Sequence, residues 1–295
     1  MLIAATAVAA MAFVSGCNGK QEVKPKKEIG LQLYSIRSVL KDANGDAAKL
    51  GEIMKQLADM GYTTVESANY KDGKIFGLTP EEYKKVLDEA GLKAISCHVS
   101  HYLSAEEVAS GDLTAALEWW KQCIADHKAA GCSYIVTPGM PKTPDEPTLA
   151  LYCKYFNEVG KLCKAEGLKY GYHNHSYEFK HKIGDVVMYD YLIQHTDPEL
   201  VFFQMDVYWA VYGNVAPVKY FQKYPGRFKA LHIKDYHELG QSGMVGFDAI
   251  FNHIAEAGTE FIIVELEGSD NPSIIDGVKE SIDYLLNASF VPEAY

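Results

Sequence analysis

The chain alternates short apolar runs, typical of β-strands, with longer segments of helical periodicity. From residue 29 onward there are eight such runs: residues 29–35, 62–67, 92–98, 132–138, 168–173, 201–206, 229–232 and 261–265. A helix between two successive strands makes the connection a right-handed crossover, so the strands run parallel. Eight βα units close most simply into a (β/α)8 barrel. An open doubly wound sheet is the rival arrangement.

Helix boundaries are marked by residues with a specific conformational role. A glycine stands between a helix and the next strand at five places: Gly61, Gly91, Gly131, Gly167 and Gly258. Thr79 and Glu82 form a capping-box pattern around Pro80, which is typical of a helix start. The predicted helices include residues 46–60, 80–90, 104–130, 145–166 and 272–288. No glycine-rich phosphate loop follows the first strand, so a nucleotide-binding sheet is disfavoured and one barrel over residues 28–295 is predicted.

The amino-terminal segment is typical of an exported protein. Residues 1–16 are apolar and small, and Val14-Ser15-Gly16-Cys17 resembles a bacterial lipobox, in which the cysteine is lipidated. Residues 17–27 are mostly polar and are predicted to be a tether. We therefore expect a protein anchored by lipid to a bacterial membrane, facing the periplasm or the cell surface. The five remaining cysteines form no CxxC pair, so no disulfide framework is implied.

Charge excludes one class of partner. The chain has 28 basic and 39 acidic residues, a net charge of −11, and its lysines and arginines form no stripe in the sequence. Binding to a nucleic-acid backbone is therefore disfavoured. A small neutral solute is the expected partner.

Four residues of metal-ligand type lie at the ends of the last four predicted strands. They are His173, Asp206, His232 and Glu265, at intervals of 33, 26 and 33 residues. The carboxyl ends of parallel strands meet at one mouth of a barrel, so these side chains should converge. Two imidazoles and two carboxylates suit Mn, Zn, Co or Mg. The sequence therefore predicts one divalent metal at this mouth.

Other strand ends add further candidates at the same mouth. Gln32, Glu66 and His98 close the first three strands, and we interpret them, with Trp209, as substrate-binding residues. Trp209 follows the sixth strand, where an aromatic side chain is either core or a platform for a sugar ring. Lys234 follows the end of the seventh strand. The fourth strand offers no obvious ligand.

Several motifs resemble the xylose isomerase-like TIM-barrel superfamily. They are GLQLYSIR near the first strand, YHNHSYEF through Phe179, DVYWAVYG from Asp206, LHIKD through Asp235, and VELE through Glu267. The resemblance covers residues 29–288. That superfamily contains sugar-phosphate isomerase/epimerases, inosose dehydratases and family-2 apurinic endonucleases. The net charge of −11 and the export signal oppose an endonuclease.

The resemblance implies a metal site and a set of catalytic residues. Asp206, His232 and Glu265 match three of the family's four ligand positions, whereas the remaining position, usually Glu, is His173 here. Whether His173 or Glu178 supplies the fifth-strand ligand is left open.

In ketose epimerases of the superfamily, the fifth-strand Glu and the eighth-strand Glu act as two opposed acid/bases. Of these, only Glu265 remains. His175, which matches a His used by dehydratase-like members, or Glu178 is expected to be the second acid/base, with Lys234 as a further catalytic candidate.

The resemblance predicts an isomerase or epimerase of a sugar or keto-sugar that acts through an enediolate. One alternative is a lyase or hydratase of a 3-keto-sugar or 3-keto-glycoside. The fifth-strand His173 and the lipoprotein signal favour it, because phosphorylated sugars are scarce outside the cytoplasm. A second alternative is a lipid-anchored sugar-binding protein without catalysis. The sequence leaves the oligomeric state open.

Overall fold

The computed structural model describes residues 27–295, which fold around a closed barrel of eight parallel strands. The barrel strands, β1 to β8, are Gly30–Gln32, Thr64–Ser67, Lys93–His98, Tyr134–Thr137, Lys169–His173, Val201–Asp206, Ala230–Lys234 and Phe261–Glu265. Each pairs with its neighbour in sequence, and β1 pairs with β8 to close the ring. The predicted (β/α)8 barrel is confirmed. The predicted signal peptide, Cys17 and most of the predicted tether lie outside the described residues.

Helices surround the barrel. In chain order, α1 to α13 are Arg37–Leu40, Ala47–Met60, Pro80–Ala90, Ala105–Ser110, Thr114–Ala129, Glu146–Ala165, Tyr177–Lys180, Met188–His195, Val207–Tyr212, Pro217–Lys223, Phe247–Asn252, Ile254–Ala257 and Ile274–Asn287. No helix among residues 27–295 is both long enough and apolar enough to cross a membrane.

Two sequence predictions of element boundaries were wrong. The first strand, predicted to run to residue 35, ends at Gln32, and a 3₁₀ turn of Leu33–Ile36 follows it. The single helix predicted over residues 104–130 is two helices, α4 and α5. The break occurs at Gly111, whose φ of 70° belongs to the left-handed region and ends α4.

The predicted helix caps are present. Thr79 Oγ1 accepts a hydrogen bond from the Glu82 amide at 3.3 Å, and Glu82 Oε2 accepts one from the Thr79 amide at 2.9 Å. The five glycines predicted to end helices all have positive φ. These local signals set where each helix stops and the next strand can begin.

Side chains alternate between the two faces of each strand, so every second residue points into the barrel. The lower interior is an apolar layer that includes Phe202 and Phe261. Gly171 faces this layer, and a Cβ there would lie 2.6 Å from the Phe202 ring. Two residues after Phe202, the interior turns polar at Gln204 and carries the candidate site.

Two small antiparallel hairpins are inserted in the loops that follow barrel strands. One, Tyr70–Lys71 with Lys74–Ile75, follows β2, and the other, Lys182–Ile183 with Val186–Val187, follows α7. In such barrels the loops at the carboxyl ends of the strands carry the functional residues. Both hairpins therefore belong to the mouth side of the protein.

The start of the described chain is attached to the last helix. Lys27 Nζ donates to the carbonyl oxygens of Leu285, Leu286 and Ala288 at 3.0, 3.1 and 2.7 Å. These carbonyls lie at the carboxyl end of α13, where a cation compensates the helix dipole. Lys27, which we placed at the end of the tether, is therefore bound to the barrel.

Candidate metal centre and active site

The four residues predicted to bind metal lie together at the barrel mouth. His173, Asp206, His232 and Glu265 are all buried, and each offers one ligand atom within 4.8 Å of those of the other three. Asp206 Oδ1 accepts a hydrogen bond from the Trp209 amide at 2.7 Å, but the buried Oδ2 has no partner among the described residues. A buried carboxylate oxygen without a donor is costly unless a cation approaches it. The donor set therefore fits a metal ion.

A chain of hydrogen bonds fixes which nitrogen of His173 is free. The ionised Glu66 carboxylate can only accept, so Gln204 presents its amide nitrogen to Glu66 Oε2 at 2.8 Å. The Gln204 carbonyl oxygen then lies 3.1 Å from His173 Nδ1, which must carry the proton. The lone pair of His173 Nε2 is left for a metal.

His232 lies between two carboxylates. Its Nε2 is 2.6 Å from Glu66 Oε1, and its Nδ1 is 3.1 Å from Glu265 Oε2. Burial opposes the charge on this ring, but the charge of Glu66 and the hydrogen bonds that the ring donates to both carboxylates outweigh it. They raise the pKa of His232 to about 10. Without metal, the ring is therefore an imidazolium, and metal binding requires that it lose a proton.

Glu66 is the centre of the buried network. Besides His232 and Gln204, it accepts hydrogen bonds from the Gln32 amide at 2.8 Å and from the Ser96 hydroxyl, and its Oε1 is 3.0 Å from His98 Nε2. Burial alone would raise its pKa, yet the charges of the two histidines hold it well below its usual range. Glu66 is therefore an anion that orients the predicted metal ligand His232, in the way that outer carboxylates orient metal-bound histidines.

The acids of the cluster differ in proton affinity. Burial raises the pKa of Asp206 to about 7, although the charge of Lys234 opposes the shift. Burial would also raise the pKa of Glu265, but Lys234 and His232 outweigh it and lower that pKa well below its usual range. Glu265 is thus ionised at neutral pH, while Asp206 is divided between its two protonation states.

A cavity of about 430 Å³ opens onto this cluster. Of the residues predicted from the sequence, His98, His173, His175 and Glu265 line it. Tyr34, Trp119 and Glu267 also line it, and Trp119 was not predicted because it comes from α5 rather than from a strand end. The volume lies within the usual range of small-molecule sites.

Seven predicted site residues lie outside the cavity lining: Gln32, Glu66, Glu178, Asp206, Trp209, His232 and Lys234. Gln32 and Glu66 lie beneath the ligands, and Trp209 packs beside them with its backbone amide on Asp206. Glu178 is buried, where its carboxylate accepts from the Tyr172 hydroxyl at 2.7 Å and from the His175 amide at 2.9 Å. In this arrangement, the contacts of Glu178 orient the His175 loop.

Two basic side chains lie beside the cluster. The Lys234 ammonium is 3.1 Å from Glu267 Oε1 and 3.7 Å from Glu265 Oε2. Burial lowers the pKa of Lys234, but the negative charges of these acids outweigh burial and raise that pKa. Burial lowers the pKa of His175 to about 4, and its Nδ1 has no partner among the described residues. At neutral pH, Lys234 is a cation and His175 a neutral proton acceptor.

The fold and this cluster can be compared with known proteins. The family model described as xylose isomerase-like TIM barrel matches residues 54–288, most of the chain. The chain belongs to this family. Its members share the barrel, so the mouth described above is the family's functional end.

Three relatives show the range of the similarity. Two crystal structures of sugar phosphate isomerase/epimerases from Parabacteroides distasonis are 34% and 39% identical, with TM-scores of 0.81 and 0.79. The two matches span 92% and 90% of this chain, and 97% and 100% of the respective Parabacteroides distasonis chains. An inosose dehydratase from Geobacillus kaustophilus is 23% identical over 207 residues. That match spans 65% of this chain but only 63% of the dehydratase's length.

Proposed function

We propose that the protein is a metal-dependent isomerase or epimerase of a sugar or keto-sugar, and that it removes a proton next to a carbonyl group. The observation that carries the proposal is that Glu265 belongs to the metal-type cluster and also lines the cavity. The resemblance to sugar phosphate isomerase/epimerases supports the same reaction class.

The ligand set proposed is His173, Asp206, His232 and Glu265, and the ion is a single divalent cation such as Mn, Zn, Co or Mg. Such a cation, when bound, polarises the substrate carbonyl and acidifies the neighbouring C–H. The remaining steps belong to side chains of this protein.

Glu265 is the proposed base. It is ionised, it reaches the cavity, and its only carboxylate neighbour within the lining is Glu267. The Lys234 ammonium, 3.7 Å from Glu265, stabilises negative charge that develops on the substrate oxygens. His175, neutral and facing the same cavity, accepts or returns a proton on another side of the substrate.

A lyase or hydratase of a 3-keto-sugar or 3-keto-glycoside is the second candidate. The fifth-strand ligand position holds His173 rather than a second carboxylate, so the cluster lacks two opposed carboxylate bases. In elimination, one base removes the proton and one acid protonates the leaving group; in this candidate the Lys234 ammonium, a cation at neutral pH beside Glu265, donates that proton. The resemblance to an inosose dehydratase supports this candidate.

Deuterium exchange tests the proposal. Purified protein is incubated with Mn²⁺ and a panel of keto-sugars in D₂O, and the carbon-bound hydrogens are followed by NMR. We expect deuterium at the carbon next to the carbonyl, with isomerised or epimerised product. Loss of water or of an aglycone would assign the lyase instead.

The variant Glu265→Gln should lower the exchange rate by about 10²–10⁴-fold, because removal of a general base has costs of that order. Glu256→Gln, on the outer helix α12, is the matched control and should exchange normally. Exchange at the wild-type rate in Glu265→Gln would move the base to His175. Failure of every sugar to exchange, with metal bound, would favour the binding protein without catalysis.

A further inference from the structure

A second cavity, of about 740 Å³, adjoins the one that holds the metal-type cluster. The two cavities share Tyr34 and Ala68 in their linings, so they adjoin at these two residues. Buried apolar side chains, Leu33, Leu40 and Phe76, contribute to the lining of the second cavity. A ligand that reacts at the metal-type cluster and extends past Tyr34 would enter the second cavity.

Charge distinguishes this second cavity from the rest of the protein. Four cationic side chains line it, Arg37, Lys41, Lys71 and Lys74, against one acid, Asp72. None of the four forms a salt bridge among residues 27–295. In a chain of net charge −11, such a group attracts anions locally. The sequence did not reveal it, because the four come from two separate loops.

The cavity wall is preformed. Asp72 and Phe76 both have a φ of 50°, which is uncommon for side chains other than glycine. The Phe76 carbonyl accepts from the Gly45 amide at 2.7 Å, and a Cβ on Gly77 would lie 2.7 Å from that same amide nitrogen. The two loops thus meet backbone to backbone. The positive φ of Asp72 is ordinary in the two-residue hairpin turn that it forms with Gly73, whereas that of Phe76 is held by the contact between the two loops.

The hairpin that follows β2, Tyr70–Lys71 with Lys74–Ile75, contributes to both cavities. Tyr70 lines the catalytic cavity, while its neighbour Lys71 lines the second. The Tyr70 hydroxyl donates to Asp126 Oδ2 on α5 at 2.6 Å, which holds the hairpin in place. At the junction, Tyr34 is 45% exposed, and the Arg37 guanidinium lies 4.2 Å from its ring centre.

We propose that the second cavity is a substrate subsite for an anionic group, a carboxylate, sulfate or phosphate, carried on a substituent beyond the reacting sugar ring. The subsite rests on the proposed function, since it places the reacting ring in the neighbouring cavity. Tyr34, at the junction of the two cavities, contacts the bond that joins the reacting ring to the anionic substituent. The side chains that bind the anion are Arg37, Lys41, Lys71 and Lys74. The substrate is thus larger than a free monosaccharide.

Binding of matched glycosides tests the subsite. The probes are phenyl β-D-glucopyranoside and its 4-carboxy and 4-sulfo derivatives, titrated by calorimetry into the full-length protein with Mn²⁺. We expect both anionic probes to bind ~10-fold more tightly than the neutral one at low salt, and the difference to shrink as ionic strength rises. The 4-carboxy and 4-sulfo arms show which anion the subsite prefers.

A double variant, Lys71→Ala with Lys74→Ala, should remove most of the preference and leave the neutral probe within about twofold of the wild type. Both side chains are exposed on the hairpin, so the fold should be kept, as circular dichroism can check. Lys93→Ala, an exposed lysine at the opposite end of the barrel, is the matched control. The subsite would be overturned if the double variant kept the full preference for the anionic probes. It would also be overturned if the anionic probes bound the wild-type protein no better than the neutral probe, or if no probe bound at millimolar concentration.

This experiment is independent of turnover. Calorimetry of Asp206→Ala, which lacks a proposed metal ligand, should retain the preference for anionic probes even though exchange is lost. Exchange with neutral keto-sugars and no anionic preference would reject the subsite alone. Anionic preference without exchange on any sugar would reject the proposed function alone.

Discussion

At the scale of single residues, protons and a cation would compete for two of the four proposed ligands, Asp206 and His232. Asp206 and His232 have pKa values raised to about 7 and about 10, so both hold protons in the metal-free protein at slightly acidic pH. A metal ligand must be deprotonated. Binding of the proposed metal at this mouth would therefore also release protons.

The consequence is a pH-dependent metal affinity. Both pKa values are raised, so a rise in pH removes protons that a cation would otherwise have to displace. We expect the affinity for Mn²⁺ to increase steadily from about pH 5 to about pH 8. Calorimetry in two buffers of different ionisation enthalpy would measure the protons released. A flat affinity over this range would mean that neither group binds the metal.

Loss of a ligand should remove the metal. Asp206→Ala deletes the carboxylate whose Oδ2 has no partner, and His232→Ala deletes the ring between Glu66 and Glu265. Each should leave the folded protein without stoichiometric metal by elemental analysis. His253→Ala, at the surface end of α11, should keep it. Stoichiometric metal in either ligand variant would place the metal elsewhere.

The metal-type cluster was predictable from the sequence, because residue type and strand-end position both point to it. The roles of Glu66 and Gln32 were not, since a strand-end position alone does not tell whether a side chain reaches the cavity or supports a ligand from below. Gln204 carries a weak signal: it lies two residues before Asp206 and so faces the same side of β6. Trp119 carries none, because its helix reaches the mouth only through tertiary packing.

At the scale of elements, the barrel interior tolerates little change. Gly171 on β5 has no side chain, and the Phe202 ring occupies the space where a Cβ would be, at 2.6 Å. We expect Gly171→Ala to lower the free energy of unfolding by about 1–3 kcal/mol, the usual cost of overpacking a core. Urea denaturation would measure it.

Gly246 provides the control for that substitution. Its φ is −81°, and the nearest atoms to a built Cβ are 4.0 Å away, so Gly246→Ala should be nearly neutral. Equal destabilisation by the two substitutions would show that the β5–β6 contact is not as tight as described.

Element boundaries were predictable where one residue determines them. The Thr79–Glu82 capping box and the five helix-ending glycines specify backbone conformation locally, so the sequence placed these ends correctly. The break at Gly111 was missed because one glycine within an otherwise helical pattern is also tolerated inside a helix. The short β1 was missed because Leu33 stays apolar and buried after the strand has turned into a 3₁₀ helix.

At the scale of the whole molecule, lipid attachment remains a prediction. We propose that Cys17 is lipidated and holds the barrel at a membrane surface outside the cytoplasm, because an apolar run ends in Val-Ser-Gly-Cys and a polar segment follows. Cys17→Ser should move the protein from the membrane to the soluble fraction, or leave it unprocessed, on fractionation. Cys153→Ser, a buried cysteine in α6, should leave attachment unchanged. Membrane attachment of Cys17→Ser would refute the proposal.

The contact of Lys27 with the end of α13 sets the orientation of such a protein. The chain enters the barrel at the end where the strands begin, and the two cavities open at the other end. An anchor on the chain upstream of Lys27 would therefore be attached at the amino-terminal end of the barrel strands, opposite the two cavities. The active-site opening would face outward, away from the anchoring surface, towards solutes that arrive by diffusion from the surrounding fluid.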